Sequence, residues 1–160
     1  MISKKAVVEQ VQAYLVEELD GILKAAKAAH DAATHEESKP EDQYDTRGLE
    51  ASYLAGAQAQ RAAELKQLLL MYRFLPLREL GKDDVACPTA LVELEFGGKR
   101  AFYFIAPQGG GLVTRVEGQP VQVITPQSPM GEAVLGKRVG ETVEVDIRDS
   151  TRSYKVISIS

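Results

Sequence analysis

The chain has 160 residues, 44% hydrophobic and 26% charged, with a formal net charge of -4, one cysteine and no tryptophan. Those values allow one or two small cores and argue against binding driven by general phosphate neutralisation. No apolar run reaches the roughly 20 residues needed to cross a bilayer, and MISKKAVVEQ lacks a secretory h-region, so a soluble cytoplasmic protein without membrane attachment is expected. The lone Cys87 can form neither an internal disulfide nor a multi-thiolate zinc site.

From Ser3 to about Thr34 there is no proline, and Val8, Val11, Leu15, Leu19, Ile22, Ala26, Ala29 and Ala33 recur at helical spacing. One long amphipathic helix is predicted. THEESKPEDQYDT is polar, contains Pro40 and has no apolar period, which predicts a loop. A second helical pattern runs through Leu54, Ala57, Leu65, Leu68, Tyr72 and Leu75 and stops near Pro76, with Asp45 or Thr46 as its N-cap. With no second hydrophobic face expected on either helix, the two should pair as an antiparallel coiled-coil hairpin over residues 1–78. About 30 residues per helix would make an arm on the order of 45 Å long. Alanines crowd both helices toward the loop and would let the axes approach closely, although alanine also simply favours helix.

Charge along this half is uneven. Residues 31–50 carry Asp31, Glu36, Glu37, Glu41, Asp42, Asp45 and Glu50 against Lys39 and Arg47, which leaves -5 there and +1 elsewhere. Beyond it Arg61, Lys66, Arg73, Arg78 and Lys82 face only Glu64 and Glu79. The hairpin is thus acidic at its tip, at about 35–50, and basic toward its base. Carboxylates at a loop end can cap the following helix and favour its positive dipole end. They also suit a hard cation such as Mg2+, which takes one or two protein carboxylates and fills its shell with water and phosphate oxygens.

After ELGKDD the period changes to two. TALVELEF and KRAFYFIAP flank Gly97-Gly98, a two-residue hairpin signal. Further strands are predicted at 112–117, 121–125, 142–147 and 153–159. SPMGEAVLG, between the fourth and fifth, predicts one short helix with Ser128 as N-cap, Pro129 at the first position and Gly136 at the C-cap. Residues 85–160 therefore read as an antiparallel β domain with one helix, its charges balanced. The Gly109-Gly110-Gly111 run lacks the Lys-Ser/Thr of a phosphate loop and precedes a strand, so it reads as a connection. His30 and His35 are wrongly spaced for ligands on one helical face, and no supported nucleophile is visible.

The stretch ITPQSPMGEAVLGKRVGETVEV, 124–145, resembles the carboxy-terminal signature of the bacterial Gre transcript cleavage factors through Ser128-Pro129, Leu135-Gly136-Lys137, Val139-Gly140-Glu141 and Val143. Tyr154-Lys155-Val156-Ile157-Ser158-Ile159 is similar to that family's last strand. The resemblance implies an α+β chain, an amino-terminal coiled-coil hairpin followed by an FKBP-like domain. It further implies that Gln127, Ser128, Pro129 and Met130 help dock the domain on bacterial RNA polymerase at its secondary channel. Tip carboxylates would meet the nascent RNA 3′ end indirectly and share a Mg2+ ion with the polymerase, which remains the enzyme; the chain has no cofactor of its own and acts as a monomer, a dimer being left open. Asp45 and Glu50, with Asp42 nearby, are the candidate tip carboxylates for stimulating cleavage of backtracked RNA. Aligned without a gap on Tyr53, the family's acidic positions fall on Thr46 and Leu49, so Asp45 and Glu50 each stand one residue away, in opposite directions. On a helix that is a rotation of about 100°. Gln127 also replaces the acidic residue that usually precedes the family's Ser-Pro. Two further readings follow: occupation of the channel without cleavage, and, from the fold alone, a peptide-binding or prolyl-isomerase domain.

Overall fold

The computed structural model describes residues 2–34, 47–81 and 83–160; the side chains of 26, 33, 34 and 47–55 are not among its described features. The element order is α1 (Lys4–Thr34), α2 (Arg47–Arg73), β1 (Leu91–Phe96), β2 (Lys99–Ile105), β3 (Val113–Val116), β4 (Gln119–Ile124), α3 (Pro129–Val134), β5 (Thr142–Ile147) and β6 (Ser150–Ile159). By contacts the chain divides into Gln12–Arg73 as one unit and Met1–Val11 with Phe74–Ser160 as the other.

In the helical unit Leu15, Ala29, Ala62, Leu65 and Tyr72 are buried. Glu18 Oε1 of α1 pairs with Arg61 Nη2 of α2 at 2.9 Å. Gln12 and Val16 share a groove with Lys66, Leu69, Leu70 and Arg73. Rising positions on α1 thus meet falling positions on α2, which makes the pair antiparallel. The alanines divide: Ala29 and Ala62 are buried, whereas Ala25, Ala28, Ala32, Ala57, Ala59 and Ala63 are exposed. Most of the exposed ones serve helix propensity rather than close packing. A second apolar face, not expected from the sequence, is present, with Val16 and Leu70 more than half exposed.

The other unit is built on a six-stranded sheet in the order β3-β4-β2-β1-β6-β5. The expectation of a purely antiparallel sheet needs correction, because β2 and β4 pair in parallel, Phe102 opposite Val121 and Phe104 opposite Val123. The cause is connectivity. After β2 the chain crosses through the three-glycine segment to the outer strand β3, turns at Glu117-Gly118, and brings β4 back between β3 and β2 in the direction of β2. Gly97 and Gly98 have φ of +57° and +73°, the left-handed pair expected of a tight β1–β2 hairpin. Val92, Leu94, Ile105, Ile124, Val134, Val143, Val145, Tyr154 and Val156 form the core beneath α3. The chain before α1 and the first residues of that helix belong to this unit: Ile2, Val7, Val8 and Val11 are buried, and Lys4 Nζ donates to the Arg78 carbonyl.

Candidate functional site

Ser128, Pro129 and Met130 stand at the start of α3, where three local features fix the backbone. Ser128 is extended at φ -73°, ψ 151°, and its Oγ accepts the Gly131 N–H at 3.1 Å, while Pro129 occupies the first helical turn without losing a bonded N–H. The Ser128 hydroxyl and N–H both donate to the Thr125 carbonyl, at 2.7 and 3.0 Å. A Cβ at Gly131 would lie 1.9 Å from that same oxygen, so only glycine lets α3 settle against the end of β4. Beyond α3, Gly136 at φ +76° follows the C-cap Leu135, and its N–H donates to the Ala86 carbonyl at 2.8 Å.

This arrangement turns Met130 toward a cleft of about 840 Å³ between α3 and the sheet. Its floor is aromatic and aliphatic: Tyr103 from β2, Tyr154 from β6, Val145 and Ile147 from β5. Gly110 and Gly111 form part of the wall, and the Gly111 N–H donates to the Val123 carbonyl at 2.9 Å. Arg148 and Arg152 bring positive charge to the β5–β6 side, and Thr151 Oγ1 donates to Asp146 Oδ1 at 2.5 Å. Burial, reinforced by the neighbouring Tyr154, pushes the Tyr103 phenol above the ordinary tyrosine range, with Arg152 opposing. At the rim Phe96 meets Tyr154 at 5.2 Å between ring centroids, and the Arg152 guanidinium lies 5.4 Å from the Phe96 ring.

Such a surface has the chemistry to accommodate a polypeptide. Its floor is apolar, Arg148 and Arg152 stand at its edge with Asp146, and the Ser128 hydroxyl is already engaged by Thr125 and Gly131. Of the docking residues expected from sequence, Ser128, Pro129 and Met130 line the cleft. Gln127 is exposed one residue before α3's N-cap. Tyr103, Arg148, Arg152 and Tyr154 were not anticipated, because strands distant in sequence bring them together.

The tip is a different case. Asp42 and Asp45 lie outside the described residues. Glu50 lies in the first turn of α2, which begins at Arg47, and its side chain is not described. Gly48 lies in the same helix. His30 is exposed on α1, and His35 lies outside the described residues. Among the described residues no group of three or more histidine, cysteine or acidic side chains is placed to hold a metal ion.

Comparison with known proteins adds the lineage. Residues 106–160 match the family model described as the C-terminal domain of the transcription elongation factors GreA/GreB. The transcription inhibitor protein Gfh1 of Thermus thermophilus is 30% identical over 122 residues, 74% of this chain and 73% of that protein. The transcription elongation factor GreA of Thermodesulfovibrio yellowstonii is 25% identical over 153 residues, 91% of this chain and 90% of that protein. A crystal structure of Thermus aquaticus Gfh1 aligns over 97% of this chain and 94% of that one, at 25% identity and a TM-score of 0.39. With a relative at 30% identity matched over nearly three-quarters of its length, and with residues 106–160 matching the GreA/GreB C-terminal domain, this chain belongs to the Gre family of transcription factors as a divergent member.

Proposed function

We propose that the protein binds bacterial RNA polymerase through the cleft beside α3 and acts as a Gre-like transcription factor at the secondary channel. The observation that carries this reading is that Ser128, Pro129 and Met130, inside the segment that matches the GreA/GreB domain, line one cleft with Tyr103 and Tyr154. The chain has no catalytic role of its own in this reading. Asp45 and Glu50 would add carboxylate oxygens to a Mg2+ ion held by the polymerase, a donor type that suits this ion. Two-metal hydrolysis stabilises both the attacking and the leaving oxygen, which is the chemistry needed to cut backtracked RNA. Asp42 would contribute negative charge nearby.

A second reading, occupation of the channel without cleavage, is favoured by one sequence fact: Asp45 and Glu50 are each one position from the family's acidic register. A relative named as a transcription inhibitor is 30% identical over the matched region.

One experiment separates the two. Stalled, backtracked elongation complexes are mixed with the protein and scored for release of 3′ RNA fragments. Cleavage that is lost in Asp45→Ala or Glu50→Ala, with polymerase binding intact, supports the first reading. Binding that displaces a cleavage-competent Gre factor but releases no fragments supports the second. Absence of binding rejects both, and Met130→Asp, which puts a charge into the cleft, is expected to weaken binding at least tenfold in either case.

A further inference from the structure

β5 ends the sheet on one side, and its backbone is paired only with β6. The Val156 N–H donates to the Glu141 carbonyl and the Gly140 N–H to the Val156 carbonyl, both at 2.8 Å, which sets the phase of the ladder just before β5 begins. Antiparallel pairs alternate between bonded and non-bonded positions. Val143, Val145 and Ile147 therefore exchange bonds with Tyr154, Arg152 and Ser150, while Thr142, Glu144 and Asp146 turn their N–H and C=O groups away from β6. Those outward groups have no backbone partner among the described residues. The opposite edge strand, β3, is shorter, with 4 residues against 6. On its core side β5 has α3 beside it: Thr142, Val143 and Glu144 line a crevice of about 480 Å³ with Glu132, Ala133 and Lys137.

We infer that the free edge of β5 takes an added strand, an extended polypeptide segment in which aliphatic residues alternate with lysine or arginine. The outward row on Thr142, Glu144 and Asp146 is the complement of another strand's backbone. The alternation follows from the period of two. On the core side, side chains of the added strand enter the crevice over Val143 and Ala133, where Glu132 and Lys137 carry opposite signs. On the other side they stand beside Glu144 and Asp146, both exposed. Asp146 accepts from Thr151 Oγ1, a neutral donor that leaves its charge in place. Lys155 is opposite Thr142 on β6, one strand farther from the incoming segment. Cations in the added strand thus meet carboxylates, and acidic residues are repelled. A second copy of β5 fits poorly, because the fully overlapped antiparallel pairing sets Glu144 opposite Glu144. This edge contact does not depend on the polymerase reading of the cleft.

The test titrates a short capped peptide of alternating lysine and valine into the isotopically labelled full chain. The amide resonances of Thr142, Glu144 and Asp146 are expected to shift and their hydrogen exchange to slow. N-methylation of one alternate set of the peptide's amides should weaken binding about tenfold, and methylation of the other set should change it by less than about twofold. Glu144→Lys, at an exposed position, should weaken the lysine peptide about fivefold and favour one of alternating glutamate and valine, with circular dichroism unchanged. Absence of shifts at Thr142, Glu144 and Asp146 overturns the inference. An equal loss from methylating either set overturns it too, because the peptide is then not held as a strand. An unchanged preference in Glu144→Lys overturns the stated choice of occupant. Each of these results leaves the polymerase reading of the cleft standing.

Discussion

Gly131 is the position where a single added carbon does most damage. Its missing side chain is replaced by the Thr125 carbonyl, 1.9 Å from where a Cβ would stand, and that carbonyl is backbone that also accepts from Ser128. Gly131→Ala must therefore push α3 off the sheet, and chemical denaturation should show a loss of about 2–4 kcal/mol. Tyr72 makes a pH-dependent contribution. It is 1% exposed, and burial raises its phenol pKa well above the ordinary value. The folded state thus keeps the proton at a pH where the unfolded chain, with a phenol pKa of about 10, releases it. Stability is fully present below about pH 10 and falls as the pH rises beyond it, by at most about 1.4 kcal/mol per pH unit for one such group. Denaturation midpoints between pH 9 and 11.5 should fall, and Tyr72→Phe should flatten part of that slope, with Tyr103 supplying the same sign.

At the scale of elements, apolar period carried most of the information and charge rather little. Both long helices, the glycine hairpin, the short helix and the six strands were legible because each depends on neighbours within a few residues. Strand order was not legible. Nothing in the alternation of β2 or β4 says that they lie side by side and parallel, since that follows from β3 taking the edge position. The cleft was half legible for the same reason: Ser128, Pro129 and Met130 form a local motif, whereas Tyr103 and Tyr154 meet only after β6 has paired with β1. The second apolar face of the helical pair was not legible because the apolar period picks out the buried stripe, and Val16 and Leu70 fall off it. Within that pair, burial outweighs ion pairing. Leu65→Ala, at a site 1% exposed, should cost about 2–5 kcal/mol, read from the loss of helical signal in urea. Arg61→Ala breaks the contact with Glu18, but the arginine side chain is half exposed, and the cost should stay below about 1 kcal/mol.

For the whole molecule, the boundary between helices and sheet in the sequence differs from the boundary between compact units. Ile2, Val7, Val8 and Val11 are buried in the unit that contains the sheet, although they precede and begin the first helix. Lys4 adds a hydrogen bond to the Arg78 carbonyl, and burial holds its ammonium below the ordinary lysine range, partly offset by Cys87 and Glu79. A fragment of residues 85–160 keeps every strand but lacks those four apolar side chains. Each contributes on the order of 1–3 kcal/mol when fully buried, so the fragment should melt well below the sheet unit of the full chain and bind a hydrophobic dye. Equal melting temperatures for fragment and full chain would refute this.

β6 lies inside the sheet, between β1 and β5, with Val92 opposite Ile159 and the Leu91 N–H donating to the Ser160 carbonyl at 2.9 Å. That places one of the most distant pairings of the chain at the centre of the sheet. The helices and the β1–β2 hairpin close over short separations and can form in microseconds, but this pairing must first overcome the entropy of a long loop. The slow step expected in folding is therefore the docking of the local β5–β6 hairpin onto β1, and until it docks β1 and β6 both present open edges to other chains.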